Sequence, residues 1–219
     1  MRESLRAPSS SSVSCRVEPS ELRAHLRAAT RDVHGDLDRR FAAILDPAAD
    51  SLYRAFLRMN AACHGVLEAW LAARLPRPVA GLRRPLTGAL EADMAALALE
   101  PVPVAEPWPP FAPSRRGLPE AAGVLYVVDG SRLGARMILK GWERRLDETR
   151  EEDRTGAHGA AEGRPTAFLT AAATGAVFPA FDALCAHLDF YDHARITEAA
   201  QAAFKLFEGT SALTIDAAI

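Results

Sequence analysis

Cysteine is scarce in this chain: three among 219 residues, Cys15, Cys63 and Cys185, odd in number and far apart. That spacing offers neither a disulfide framework nor a metal clip, and it fits a reducing, cytoplasmic compartment. Cys63 and Cys185 are expected as small core residues. No apolar run approaches the roughly 18 residues that mark a bilayer-spanning helix, so no membrane segment is expected. An excess of one charge is lacking too. The net charge of −2 leaves no electrostatic footprint for nucleic acid or an anionic membrane. Neither a G-x-G-x-x-G fingerprint nor a metal-binding His/Cys cluster occurs, and no serine–histidine–acid set stands out. Strand signals are nearly missing, since the only β-branched cluster, Val124 to Val128, sits inside an otherwise helical segment.

What is present is helix. Apolar residues make up 49% and charged residues 25%, with Ala, Leu, Arg and Glu prominent, which predicts one soluble all-α domain. Residues 1–19, rich in Ser and Arg without an apolar signal core, are expected as a disordered tail before a helical domain over 20–219. Apolar spacing predicts a first helix from an N-cap at Ser20 to about Leu45, broken by Asp46-Pro47. A second is expected over 48–75 and a shorter one over 85–99. Residues 101–113, with six prolines, Trp108 and Phe111, read as an extended connector. A long helix follows from Pro119 to about Leu146, an exposed loop over 147–164, and closing helices over 165–188 and 192–209.

Two features carry chemistry. Residues 123–140 form an apolar helical segment holding Gly130 and Gly134 one turn apart. Each interior glycine costs about 1 kcal/mol of helix stability, so a soluble helix keeping two needs bare backbone close to something flat or bulky. That something is either a neighbouring helix in a small-residue seam or a plate-like ligand. Gly123 and Gly141 add the expectation of a kink. Upstream, His34 shares a meridian, within about 40° on an ideal helix, with Arg27, Thr30, Asp38 and Phe41. Asp38, one turn on, can accept a hydrogen bond from one ring nitrogen and raise the basicity of the other as a metal ligand. Arg27 lies about 10 Å along the axis, where it could meet a carboxylate of the same ligand. Taken alone, His34 reads more readily as a structural residue than as a ligand.

Together these residues resemble one family. Leu26-Arg-Ala-Ala-Thr-Arg-Asp-Val-His34 resembles the proximal-helix motif of haem oxygenases. Leu125-Tyr-Val-Val-Asp-Gly-Ser-Arg-Leu-Gly134 is similar to the distal-helix motif of their bacterial branch, including forms paired with bacterial phytochromes. Ala199-Ala-Gln-Ala-Ala-Phe204-Lys-Leu-Phe207 is similar to the family's last helix, and helix order agrees from about residue 20 to 210. The resemblance implies a single-domain multi-helix bundle with haem between the first, proximal helix and a kinked glycine-containing distal helix. It implies cleavage of haem, both cofactor and substrate, at a meso carbon to biliverdin, CO and ferrous iron. O2 is the co-substrate, electrons come from a ferredoxin- or reductase-type donor, and a phytochrome is an expected biliverdin acceptor. By the same resemblance His34 is the iron ligand, Asp38 positions it, and Gly130 and Gly134 are distal backbone contacts. Arg27 and Tyr126 match propionate-contacting positions, with Lys140 a further basic candidate. Phe204 matches an aromatic against the macrocycle, and His64 a polar distal residue. Ser131 departs from the animal enzymes, which carry a carboxylate there, and Ala135 from relatives with a second glycine. The directions of Arg132 and Arg136 are open. The alternative is a non-catalytic haem or bilin carrier on the same fold.

Overall fold

Leu22 and Leu26 anchor the first helix, α1 (Pro19–Ala29), by burying completely one turn apart. The chain does not continue as one helix to residue 45. Thr30 leaves helical geometry at φ −112°, ψ 6°, its hydroxyl bonded back to the Leu26 carbonyl at 2.7 Å. A β-branched residue that bonds its own preceding turn competes with straight continuation. A separate helix, α2 (Arg31–Arg40), starts from this break, and a 3₁₀ turn at Ala42–Leu45 follows. Arg27 and His34 therefore sit on different helices, and the meridian joining them across Thr30 does not exist. Glu18 rather than Ser20 precedes the first turn.

The computed structural model describes residues 17–46, 48–110, 117–153, 164–189 and 192–216. Of the expected tail over 1–19, residues 1–16 lie outside them, as do Pro47, Phe111 and residues 154–163. The remaining helices are α3 (Asp50–Ala72), α4 (Arg77–Ala80), α5 (Thr87–Ala96), α6 (Leu118–Asp153), α7 (Ala167–Ala173), α8 (Pro179–Cys185) and α9 (His193–Asp216). Among the described residues there is no strand, and no helix is long and apolar enough to cross a membrane. The fold is all-α.

Three long helices, α3, α6 and α9, form the centre, with α6 against α9 as the most extensive pair. Gly123 makes that pairing close. A Cβ there would lie 2.8 Å from the Ala200 nitrogen and 2.9 Å from the Ala199 Cβ, with the Ile196 carbonyl oxygen nearer still. The small-residue seam of α6 is thus at Gly123. α6 also runs seven residues past Leu146, because Glu, Arg and Asp favour helix even without apolar periodicity. Cys63 and Cys185 are both fully buried, and burial pushes each thiol up to about 12.

A seven-residue helix such as α7 has little stability of its own. Its neighbours hold both ends. The buried Asp93 carboxylate on α5 accepts the N–H groups of Ala167 at 2.8 Å and Phe168 at 2.9 Å, capping the N-terminus. From α6, Arg132 donates to the Ala171 carbonyl at 3.2 Å and also to that of Arg84; Arg136 donates to Ala172 at 3.1 Å and also to Gly175. Cationic donors on the last carbonyls suit the helix dipole. The expected helix over 165–188 is broken between α7 and α8, where Gly175 takes φ +77°. Arg132 and Arg136 project to this segment, on the opposite face of α6 from Gly130 and Gly134.

Candidate functional site

α2 is the peculiar helix of this fold. Its ten residues include none that is buried, although Val33 and Leu37 rest partly on the core. It packs on α9 and makes no extensive contact with α6 among the described residues. A helix with so little burial is stabilised mainly by what else covers it. On it, His34 Nδ1 meets Asp38 Oδ2 at 2.9 Å, and the His34 ring stands edge-on to Phe204 of α9 at 5.5 Å. The His34 side chain is 55% exposed. With Nδ1 held by the carboxylate, Nε2 is the nitrogen left to bind a ligand, the tautomer that a His–Asp pair selects.

The glycines of α6 show what they are not for. A Cβ on Gly134 would meet nothing within 4 Å, and one on Gly130 only the edge of Phe178 at 4.0 Å. No neighbouring helix demands their bareness. Leu133 and Met137, on the same stripe, are 51% and 63% exposed. Gly130, Leu133, Gly134 and Met137 follow i, i+3, i+4, i+7, the spacing of a core-facing stripe, yet they face open space. An apolar stripe with backbone laid bare in its middle can accept a flat apolar ligand.

Beneath this face lies a polar array. His64 on α3 is fully buried, with Nδ1 at 2.9 Å from Glu68 Oε1 and Nε2 at 3.2 Å from Ser131 Oγ. Glu68 also accepts the Leu86 N–H at 2.9 Å and the Thr87 hydroxyl at 3.1 Å. Burial pushes the Glu68 carboxyl up, but bonds from His64 and Leu86 and the charge of Arg83 leave it below the usual carboxylate value. A serine–histidine–acid set is therefore assembled by the fold. Its signal was there in part, since His64 and Glu68 have the same i, i+4 spacing as His34 and Asp38.

Tyr126 stacks on Phe178 with planes 10° apart, and it is bonded to Thr30 beside Arg27. Burial raises the Tyr126 phenol against the lowering effects of that bond and of the Arg27 charge. Arg27 and Lys140 are exposed cations. The structure thus gathers His34, Asp38 and Phe204 at α2 and α9, Gly130, Ser131, Gly134 and His64 at α6 and α3, and Tyr126 near Arg27 and Thr30. Lys140 stands apart, about one and two-thirds turns beyond Gly134. Phe178 and Glu68 were missed from the sequence. Behind α6, Asp129 is buried with an oxygen lacking any hydrogen bond, facing a small cavity lined by Arg83, Arg84 and Arg132. Burial, offset by Arg132 and Arg83, pushes its carboxyl up to about 7.

The architecture matches the crystal structure of the NO- and CO-bound haem oxygenase from Neisseria meningitidis, over 89% of this chain and 92% of that one, with TM-score 0.56 and 22% identity. This is the haem oxygenase fold. No family model matches the sequence, and no curated protein matches it either. The likeness to that haem oxygenase is one of chain path, so roles for individual residues rest on the geometry above.

Proposed function

We propose that this protein cleaves haem oxidatively at a meso carbon, releasing biliverdin, CO and ferrous iron, with O2 and electrons from a separate ferredoxin- or reductase-type donor. The observation that carries the reading is the pairing of a bare, apolar stripe on α6 with an unburied His–Asp pair on α2, two helices that do not pack on each other. His34 would hold the iron, with Asp38 as its positioning carboxylate, in a slot between α2 and α6. Phe204 would pack beside the ring at the His34 edge. Gly130 and Gly134 would let main chain approach the opposite face, while Leu133 and Met137 cover apolar rim. Arg27 and Tyr126, with Lys140 further off, would take the propionates.

When bound, haem supplies the iron that binds dioxygen and the carbon that is oxidised; the protein contributes orientation, exclusion of water and protons. Orientation comes from contacts fixed on helices rather than loops. Ser131, next to Gly130 in the chain, and His64, which is bonded to it, would supply polar groups beside the bare stripe. A phytochrome is a fitting acceptor for the product, and a cytoplasmic setting suits two buried free thiols.

The test is reconstitution with haemin, then ascorbate and catalase under air. Loss of the Soret band with growth of bilin absorption at longer wavelength supports the reading. A Soret band that persists under these conditions refutes cleavage and leaves a haem or bilin carrier.

A further inference from the structure

We infer that Ser131, His64 and Glu68 form a side-chain proton wire to the bare face of α6, with Glu68 the positioning residue that sets the ring's tautomer and charge. The inference rests on the haem-cleavage reading, in which that face receives dioxygen. Its basis is the bonding pattern. Ser131 Oγ has two partners, the Val128 carbonyl at 2.8 Å and His64 Nε2 at 3.2 Å. A hydroxyl has one hydrogen, so its direction reports the state of the ring. When the ring is neutral, Glu68 holds the Nδ1 proton and the serine donates to Nε2. When the ring is protonated, Nε2–H donates to Ser131 Oγ and the serine hydrogen turns to Val128.

Delivery follows with its atoms balanced. The serine hydroxyl turns from Val128 into the slot and releases its proton to an acceptor there, while Oγ takes the proton from Nε2. The ring is left neutral with Nδ1–H still on Glu68. It regains a proton from a solvent hydronium ion, which protonates Ser131 Oγ as the serine hydrogen passes to Nε2 and is left as water.

The surroundings keep water from the pair. His64 is 0% and Glu68 5% exposed, and the rings of Phe168 on α7 and Phe207 on α9 stand edge-on to the imidazole at 6.1 and 5.9 Å. In such low-dielectric surroundings the hydrogen bond between Glu68 and His64 Nδ1 is stronger than it would be in water. The other charged groups acting on Glu68 are Arg83, before α5, and Asp129 and Arg132 on α6. A nucleophilic role for Ser131 fits poorly, because it lies mid-helix, where backbone N–H groups are committed to helical bonds and none is free to form an oxyanion hole.

Ring-nitrogen NMR of ligand-free protein tests the pair. Glu68→Gln keeps an acceptor for Nδ1–H but removes the charge, so the bond weakens and the His64 Nδ1–H proton resonance should move upfield. An unchanged resonance overturns the wire alone. Ser131→Ala, at a half-buried position, serves if Glu68→Gln does not fold. It should slow single-turnover haem loss at least about tenfold with haemin affinity retained. An unchanged rate, or covalent capture of Ser131 by a fluorophosphonate, overturns the wire. Wild-type protein that leaves haemin uncleaved overturns the functional reading and the wire with it.

Discussion

Replacing Gly134 by alanine separates a ligand-facing glycine from a packing glycine. At most interior helix positions Gly→Ala gains about 1 kcal/mol, through backbone entropy in the unfolded chain and helix propensity. Nothing in the fold opposes the gain at Gly134, since a Cβ there would have no atom within 4 Å. For a domain of this size that is a rise in Tm of about 2–4 °C. The new methyl would stand on the bare face of α6, where overpacking of 1–3 kcal/mol is typical, so haemin affinity should fall by about tenfold. Gly123→Ala is the control. Its Cβ would run into α9 backbone, and the variant should lose at least about 2 kcal/mol. Thermal melts of ligand-free protein and haemin titrations by absorbance read both effects. A Gly134→Ala protein that is less stable than wild type, or one that binds haemin as tightly, would refute the reasoning.

Three further outcomes follow from the same geometry. Asp38→Asn keeps an acceptor for His34 Nδ1–H but loses the charge, and should weaken haemin binding by about tenfold and lower the iron–histidine stretching frequency; an unmoved frequency would detach Asp38 from His34. Asp93→Ala removes the cap on two N–H groups of α7 and should cost about 2 kcal/mol in urea unfolding, with faster hydrogen exchange of α7 amides. Asp129 has its folded pKa raised from 3.8 to about 7, so its contribution favours folding at low pH and is lost as pH rises through about 7. Asp129→Asn should therefore gain stability relative to wild type progressively from about pH 4 to about pH 7, and a change in the opposite direction would mean that Asp129 is stabilised there as an ion.

Much of the site was legible because it is local. His34 and Asp38 meet since i, i+4 on a helix guarantees it, and Gly130 with Gly134 is visible as an unexplained stability cost. The same rule applied to His64 and Glu68, yet their meaning depends on Ser131, 67 residues beyond His64 in the chain and joined to it only by packing of α3 against α6. The break at Thr30 was hidden because threonine is tolerated in helices and acts only when its hydroxyl turns back on Leu26. Apolar periodicity also gave no warning that α7 ends early. That end is set by Arg132 and Arg136 reaching across from α6, where arginine on an apolar helix looks equally able to enter the ligand slot. The seam at Gly123 was credited to a bend, since a glycine's neighbour in space leaves no mark in sequence.

Haemin titrated into wild type and His34→Ala, with resonance Raman spectra of the reduced complexes, addresses the ligand and the slot together. The account predicts one haem per wild-type chain with an iron–imidazole stretching band, absent in His34→Ala and restored by added imidazole. The same band in both proteins, or a wild-type spectrum indistinguishable from free haem, would contradict it.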